Sequence, residues 1–319
     1  MRLSRYFVKR LFQLIPVLLV IVALQFALVQ AAPGDVAQIM AGENQDPAFI
    51  AGVRERLGLD RPVLEQFGIY LLNLVKGDFG QSATYGLPVL KVIGDRLGAT
   101  ILLLGISLLL ASTMGTALGT WLSRQIGSRT DTTFSLLAIA AYSAPVFWIG
   151  LMLILVFGVW LKVLPTSGIV SGNLSGLPLA VDVARHLVLP VAALTTVYLG
   201  QYLRLSRTSV SDALREDYIQ AARAAGHSER TVLFRFALRN ALLPIVTVFG
   251  LHLGVVLAGA VLTETVFSWP GVGTLLYQAI LARDIPLVTG TYVIVGATVL
   301  VAALLTDLCY AWLDPRVEY

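Results

Sequence analysis

Six long stretches without a single Asp, Glu, Lys or Arg, and not interrupted by closely spaced turn-forming residues, constrain this chain more than any other feature of its sequence. They cover residues 11–34, 97–123, 132–161, 186–203, 240–263 and 285–306. A helix of about 20 residues crosses the hydrocarbon core of a bilayer, so each stretch is long enough to span it. Charged residues make up 13% of the chain, against about a quarter in soluble domains. The sequence therefore predicts an all-α polytopic membrane protein with six transmembrane helices.

The basic residues predict which side of the membrane each end of the chain occupies. Lys and Arg cluster in the first ten residues, between residues 124 and 129, and in residues 204–239, which hold seven arginines. Short cytoplasmic loops carry an excess of Lys and Arg. We therefore expect both the N-terminus and the C-terminus to be cytoplasmic.

Residues 35–96 are then predicted to form an extracytoplasmic segment, with short helices at 48–57 and 63–75. The chain divides into an N-terminal transmembrane helix at 1–34, this outer segment, and a transmembrane domain at 97–319 that contains the cytoplasmic loop.

The sequence lacks the common signatures of catalysis and cofactor binding. No lysine follows a glycine, so no phosphate-binding Gly-Lys-Ser/Thr loop occurs, and neither His-Glu-x-x-His nor Gly-x-Ser-x-Gly is present. The single cysteine and three histidines form no metal-ligand pattern. The small, scattered net charge of +4 does not favour a nucleic-acid surface. We expect no enzyme activity, metal site, cofactor or nucleic-acid partner for this chain.

The loop at residues 204–239 carries the most informative pattern. The run from 217 to 225 is rich in helix formers, Gly226 can end a helix in the left-handed conformation, and Ser228 can begin the next helix. Alanines at 221, 222, 224 and 225 give a slim surface that can enter a groove of another protein with little loss of rotamer entropy. Asp217 and Arg223 are expected to orient it. By pattern alone, a helix lying on the membrane interface is an equally good interpretation.

This loop resembles the EAA signature loop of ATP-binding-cassette (ABC) importer permeases. The shared pattern is Gln-Ala-Ala at 220–222, three residues, and then Gly226, with glutamine in place of the usual glutamate. Residues 216–244 are similar to the dipeptide, oligopeptide and nickel permease family, from which Ala225 and His227 depart. Similar blocks follow in order along nearly the whole chain, at 33–35, 57–62, 77–82, 142–148, 164–168, 262–273, 283–286 and 314–316.

The resemblance implies a permease subunit that moves peptides, or a related solute such as a nickel complex, across a bacterial or archaeal cytoplasmic membrane by alternating access. The implied partners are a second homologous permease subunit, two cytoplasmic P-loop ATPases that bind the ATP, an extracytoplasmic substrate-binding protein and membrane lipid. The implied ATPase-coupling residues are Asp217, Tyr218, Gln220, Ala221, Ala222, Arg223, Ala225 and Gly226. The alternative function is an ion-coupled secondary transporter, although the spans lack the midplane acids and internal repeat of such proteins.

Coupling also restricts what Gly226 can do. A floppy loop cannot transmit a conformational change, so we expect Gly226 to be a helix cap and not a hinge.

Glu264 and the turn that follows it are the candidate lining of the translocation path. An ionisable group at membrane depth costs about 2.5 to 3.5 kcal/mol on insertion scales, so it should face a partner or a wet cavity. We favour the outer mouth of the path for Glu264, together with Phe267, Ser268 and Trp269. The alternative is an acid that caps the turn or pairs with a neighbouring chain.

Three further patterns predict packing inside the helix bundle. Glycine pairs at 115/119 and 250/254 have the four-residue spacing that lets helices approach closely, and we favour contacts within the chain over a subunit interface. Asp307 is expected to pair with a basic residue such as Arg10. His252, deep in the fifth span, is expected to be packed and hydrogen-bonded between helices.

Overall fold

A computed structural model of the protein describes residues 2–31, 37–38 and 46–313. Within those ranges every named regular element is a helix. They are α1 (Arg2–Ala31), α2 (Pro47–Leu57), α3 (Val63–Val75), α4 (Val89–Leu122), α5 (Arg129–Ser143), α6 (Val146–Leu153), the π-helix π1 (Ile154–Trp160), α7 (Gly176–Ala213), α8 (Asp217–Ala224), α9 (Glu229–Thr231), the π-helix π2 (Val232–Ala237), α10 (Leu238–Gly259), α11 (Val261–Val266), α12 (Val272–Leu281) and α13 (Ile285–Leu313). The sequence blocks at 33–35 and 314–316 lie outside the described residues.

Five helices in the described part of the chain are long and apolar enough to cross a membrane, and a bent pair of helices can supply a sixth span. In that pair, α5 meets the continuous run of α6 and π1 at 100°. Ala144, between them, has an extended backbone with ψ 135°. The residue after it is Pro145, and proline lacks an N–H and disfavours the helical conformation of the residue before it. The prediction of six spans is confirmed with the bent pair counted as one span. The unbroken third helix expected over 132–161 is wrong.

α4 and α7 pack along one another at the centre of the bundle, and glycines allow the close approach. A Cβ atom at Gly115 would lie 2.6 Å from the Cβ of Tyr202, and one at Gly119 would collide with the backbone of Leu203. Only small residues let two helix backbones come this near. The prediction that this glycine pair packs within the chain is confirmed.

Contacts between helices confirm the other packing predictions. A Cβ atom at Gly250 of α10 would collide with Thr306 of α13, so the second glycine pair also packs inside the chain. Arg10 Nε lies 3.3 Å from Asp307 Oδ2, which joins α1 to α13. His252 Nδ1 lies 3.0 Å from the hydroxyl of a tyrosine on α7.

The outer segment contains α2 and α3, close to the bounds expected from the sequence. Gly58 ends α2 in the left-handed conformation, with φ +66°. α3 packs against α1 through Phe26 and Phe67, whose ring centroids are 5.3 Å apart. The three-part division of the chain stays a prediction.

Candidate functional site

α8, the helix that holds the predicted coupling residues, ends at a glycine with the geometry of a cap. Gly226 has φ +83°, and its N–H donates to the carbonyl of Arg223 at 2.9 Å. The N–H of His227 donates to the carbonyl of Ala222 at 3.3 Å. Residues with a Cβ atom adopt this left-handed backbone only at a cost. The chain therefore leaves α8 along a defined direction, as expected for a helix cap.

α8 is packed firmly against its own chain by one face. Ile219 is fully buried and Ala222 is 6% exposed. Both belong to an apolar cluster with Val210, Val232, Leu233, Ala237 and Ala241, from α7, π2 and α10. Residues three apart share one face of a helix, so Ala222 points inward. The expectation that all four alanines form the slim outer surface is wrong for Ala222.

The opposite face of α8 is exposed and small. The exposed residues of α8 are Asp217, Tyr218, Gln220, Ala221, Arg223 and Ala224, and Ala225 directly after the helix is also exposed. At the three exposed alanines, 221, 224 and 225, the side chains add little bulk to the helix backbone. This face is a shallow, rigid surface.

Arg223 is engaged by a residue that the sequence analysis did not single out. Its Nε and Nη2 atoms donate to the two carboxylate oxygens of Glu229 at 2.8 and 3.3 Å. The hydrogen bond to Glu229 is the main reason why the pKa of Arg223 is raised. The pair bridges the turn at Gly226 and holds the start of α9 against α8. The partners are six residues apart across a turn, and no helical spacing predicts such a contact.

A second missed ion pair ties α5 to α7. The Arg207 guanidinium donates to both carboxylate oxygens of Asp131, with the Nη2–Oδ2 distance at 2.6 Å. Asp131 is 3% exposed and also accepts the N–H of Gly127 at 3.0 Å. α7 continues to Ala213, so Arg207 belongs to the helix and not to the loop expected from residue 204. The sequence contained one indication of this pair. Asp131 directly precedes one uncharged stretch and Arg207 closely follows another, and both lie on the same predicted side of the membrane.

Glu264 lies at the centre of a buried network where α11 ends and α12 begins. Its side chain is completely buried. Oε1 accepts the Thr100 hydroxyl at 2.7 Å, and Oε2 accepts the N–H of Thr274 at 2.9 Å. The Thr100 oxygen in turn accepts the N–H of Val272 at 2.8 Å. The carboxylate thus joins α4 to both sides of the turn.

The other candidate path residues surround this network. Phe267 and Trp269 are buried, and the Trp269 indole donates to the carbonyl of Ala99 at 2.8 Å. The carbonyl of Phe267 accepts the N–H of Gly168 from a distant loop at 2.9 Å. Ser268 is exposed, with φ +48°. Of the four residues, only Ser268 reaches the surface of this chain, and a role in the path stays a prediction.

Asp284 ties the outer segment to the last span. It is 1% exposed and accepts the Ser82 hydroxyl at 2.5 Å, the N–H of Thr84 at 2.9 Å and the N–H of Leu287 at 3.2 Å. Burial raises the pKa of this carboxyl, but the hydrogen bonds outweigh burial and the pKa is lowered. The blocks at 77–82 and 283–286 are thus brought together.

A polar groove of about 440 Å³ opens between α5, α7 and α10. Its polar lining residues are Tyr142, Gln201, Arg204 and Thr208, and its apolar ones are Leu205 and Val248. Three of the polar residues follow one another along one face of α7. Arg204 makes no hydrogen bond or ion pair with the described residues.

The sequence matches two family profiles that together cover most of the chain. The family described as binding-protein-dependent transport system inner membrane component matches residues 115–319, and the N-terminal part of such membrane components matches residues 3–104.

Three relatives are similar to the chain over at least 98% of its length. It is 38% identical to the di/tripeptide transport system permease protein DppB of Pseudomonas aeruginosa, over 98% of both chains. It is 37% identical to the dipeptide transport system permease protein DppB of Escherichia coli K12, over 99% of both chains. The oligopeptide transport system permease protein AppB of Bacillus subtilis is 36% identical, over 99% of this chain and 100% of the relative. The helices long enough to span a membrane and these matches agree: the chain belongs to the family of inner-membrane components of binding-protein-dependent transport systems.

Proposed function

We propose that this chain is a permease subunit that imports peptides across the cytoplasmic membrane, driven by ATP that partner ATPases bind and hydrolyse. The observation that carries the proposal is α8, a capped and packed helix whose small exposed face suits a groove of another protein. The peptide substrate class is supported by the names of the relatives. Family membership decides against an ion-coupled secondary transporter. The chain supplies the path and no ATPase site of its own.

In this mechanism α8 acts as a rigid lever. Ile219 and Ala222 bury one face of α8 against α7, π2 and α10, so a displacement of α8 moves the ends of two spans. Shifting a two-state equilibrium from 1:99 to 99:1 takes about 5.5 kcal/mol of differential binding. ATP-driven closure of the two ATPases supplies that energy, and the path alternates between facing inward and facing outward.

The polar groove along α7 is the proposed wall of the path in this chain. Exposed polar and charged side chains on a span are costly against lipid and therefore face a wet cavity or another subunit. Arg204 and Thr208 are exposed, and Gln201 beside them is half-buried and lines the same groove. Glu264 has a different proposed role, since its carboxylate holds the outer turn together from inside. A second homologous permease subunit would complete the path.

The proposal is tested by purifying the tagged chain from native membranes. We expect a second permease and P-loop ATPases to copurify, and the complex to hydrolyse ATP. The complex is reconstituted into vesicles together with its binding protein. Vesicles should take up a labelled dipeptide only when ATP is present on the side of the membrane that carries the ATPases. Uptake by the chain alone under an ion gradient, without ATP, would contradict the proposal.

A further inference from the structure

A cavity of about 470 Å³ lies at the outer end of α4, beside the turn that Glu264 holds. It is bordered by the loop at Tyr85, the first turns of α4, Ile169 and Pro270. Ligand pockets for small molecules usually occupy about 300–1,000 Å³. The cavity is therefore large enough for a molecule the size of a dipeptide.

Two walls of this cavity are held by hydrogen bonds. Trp269, next to Pro270, donates its indole N–H to the carbonyl of Ala99, which itself lines the cavity. On the other side, the N–H of Tyr85 donates to the Ser82 hydroxyl at 3.1 Å, and Ser82 is bound to Asp284. The cavity is thus preorganised between two fixed elements.

Two adjacent residues of opposite charge, Asp95 and Arg96, line this cavity. Neither forms a hydrogen bond or an ion pair with any described residue. Asp95 is exposed and Arg96 is half-buried, whereas the fully buried acids Glu264 and Asp284 each accept hydrogen bonds from at least two donors. A cavity that offers one unpaired carboxylate and one unpaired guanidinium suits a small zwitterion.

We propose that this cavity receives the two charged ends of a short peptide on its way into the path. The Asp95 carboxylate binds the peptide ammonium group, and the Arg96 guanidinium binds the terminal carboxylate, which its planar fork matches in geometry. Val92, Ala99 and Ile169 give apolar contacts to the peptide side chains. The inference rests on the proposed function and deepens it. The concave shape favours a small ligand over a contact with the binding protein.

The test uses the complete transporter with its binding protein in proteoliposomes and labelled dialanine as the probe. The variants are Asp95→Asn and Arg96→Gln, with Arg96→Lys as the conservative change. Lys91→Gln is the matched control, because Lys91 is exposed on α4 one turn earlier and does not line the cavity. Dialanine uptake, ATP hydrolysis, and the affinity for the loaded binding protein are measured for each.

We expect Asp95→Asn and Arg96→Gln to lower uptake per ATP hydrolysed about tenfold, as for loss of one charge-assisted hydrogen bond. Arg96→Lys should recover part of the loss, and Lys91→Gln should match the unsubstituted transporter. Unchanged uptake per ATP in both variants overturns the inference. So does a loss confined to the affinity for the binding protein, which would mark a protein interface. If the unsubstituted transporter shows no ATP-driven dialanine uptake, the proposed function itself fails and the inference with it.

Discussion

At the scale of single residues, the contact between Gly271 and Glu264 leaves no room for a side chain at position 271. A Cβ atom at Gly271 would occupy the position of the Glu264 carboxylate. That carboxylate joins Thr100 to the backbone of Thr274. Glycine is therefore required at 271 by space and not by backbone conformation, because its φ is −98°.

Gly271→Ala should lower the free energy of unfolding by about 1–3 kcal/mol, the usual cost of overpacking. Thermal unfolding of the purified protein in detergent measures the effect. Gly172→Ala is the matched control, since nothing lies within 4 Å of a Cβ atom there. Equal unfolding temperatures for the two variants would contradict this expectation and show that the Glu264 side chain can move aside at little cost.

Adjacent alanines on α8 should respond in opposite ways to the same substitution. Ala222→Trp should overpack the buried cluster and lower the unfolding temperature, at a cost of about 1–3 kcal/mol. Ala221→Trp places the same ring on the exposed face, so stability should hold while copurification of the ATPases is lost. The two substitutions control each other. Normal ATPase recovery with Ala221→Trp would argue against docking through this face.

At the scale of elements, the rigidity of α8 depends on how it ends. Gly226→Pro is incompatible with φ +83° and removes the N–H that caps the helix. ATP hydrolysis and peptide uptake should become uncoupled while the spans stay folded. Gly226→Asn is the control, because asparagine tolerates the left-handed conformation. ATP-driven uptake at the normal level with Gly226→Pro would exclude the lever mechanism.

The stability of the contact between the outer segment and α13 should depend on pH through Asp284. Its pKa is lowered in the folded protein, so its contribution to stability is complete above the unfolded pKa of about 3.9 and is lost as the pH falls through the folded value. Below about pH 4 the unfolding temperature should therefore drop. Asp284→Asn should lower the unfolding temperature at neutral pH and reduce its fall at acid pH. Asp212→Asn, at an exposed residue, is the control. A profile unaffected by Asp284→Asn would contradict the assignment.

At the scale of the whole molecule, the predicted orientation places α3 outside the cell and α8 inside. Cys309 is the only native cysteine, so a Cys309→Ser background allows single reporter cysteines. Leu64→Cys, at a residue that is 84% exposed, should react with a membrane-impermeant maleimide in intact cells. Gln220→Cys, which is also exposed, should react only after the membrane is opened. The reverse pattern would invert the topology.

Much of the architecture follows from the sequence because lipid imposes a one-dimensional constraint. A span must be long and uncharged, so its approximate place can be read along the chain before any packing is known. The helices of the outer segment and the cap at Gly226 are equally local, since they depend on neighbouring residues. The coupling loop was identified by a contiguous pattern of residue types, and its helix lies where that pattern occurs.

Only the tertiary structure decided which side chains face one another. Glu264 meets Thr100 and Asp284 meets Ser82 across more than a hundred residues of chain, and no local spacing encodes such contacts. The inward direction of Ala222 likewise depends on what α7 and α10 place beside α8. Sequence alone thus determined the approximate places of most helices and their membrane character, because these depend on residues close together in the chain. The packing of distant elements decided that Glu264 is buried at the centre of its hydrogen-bond network and which face of α8 is exposed.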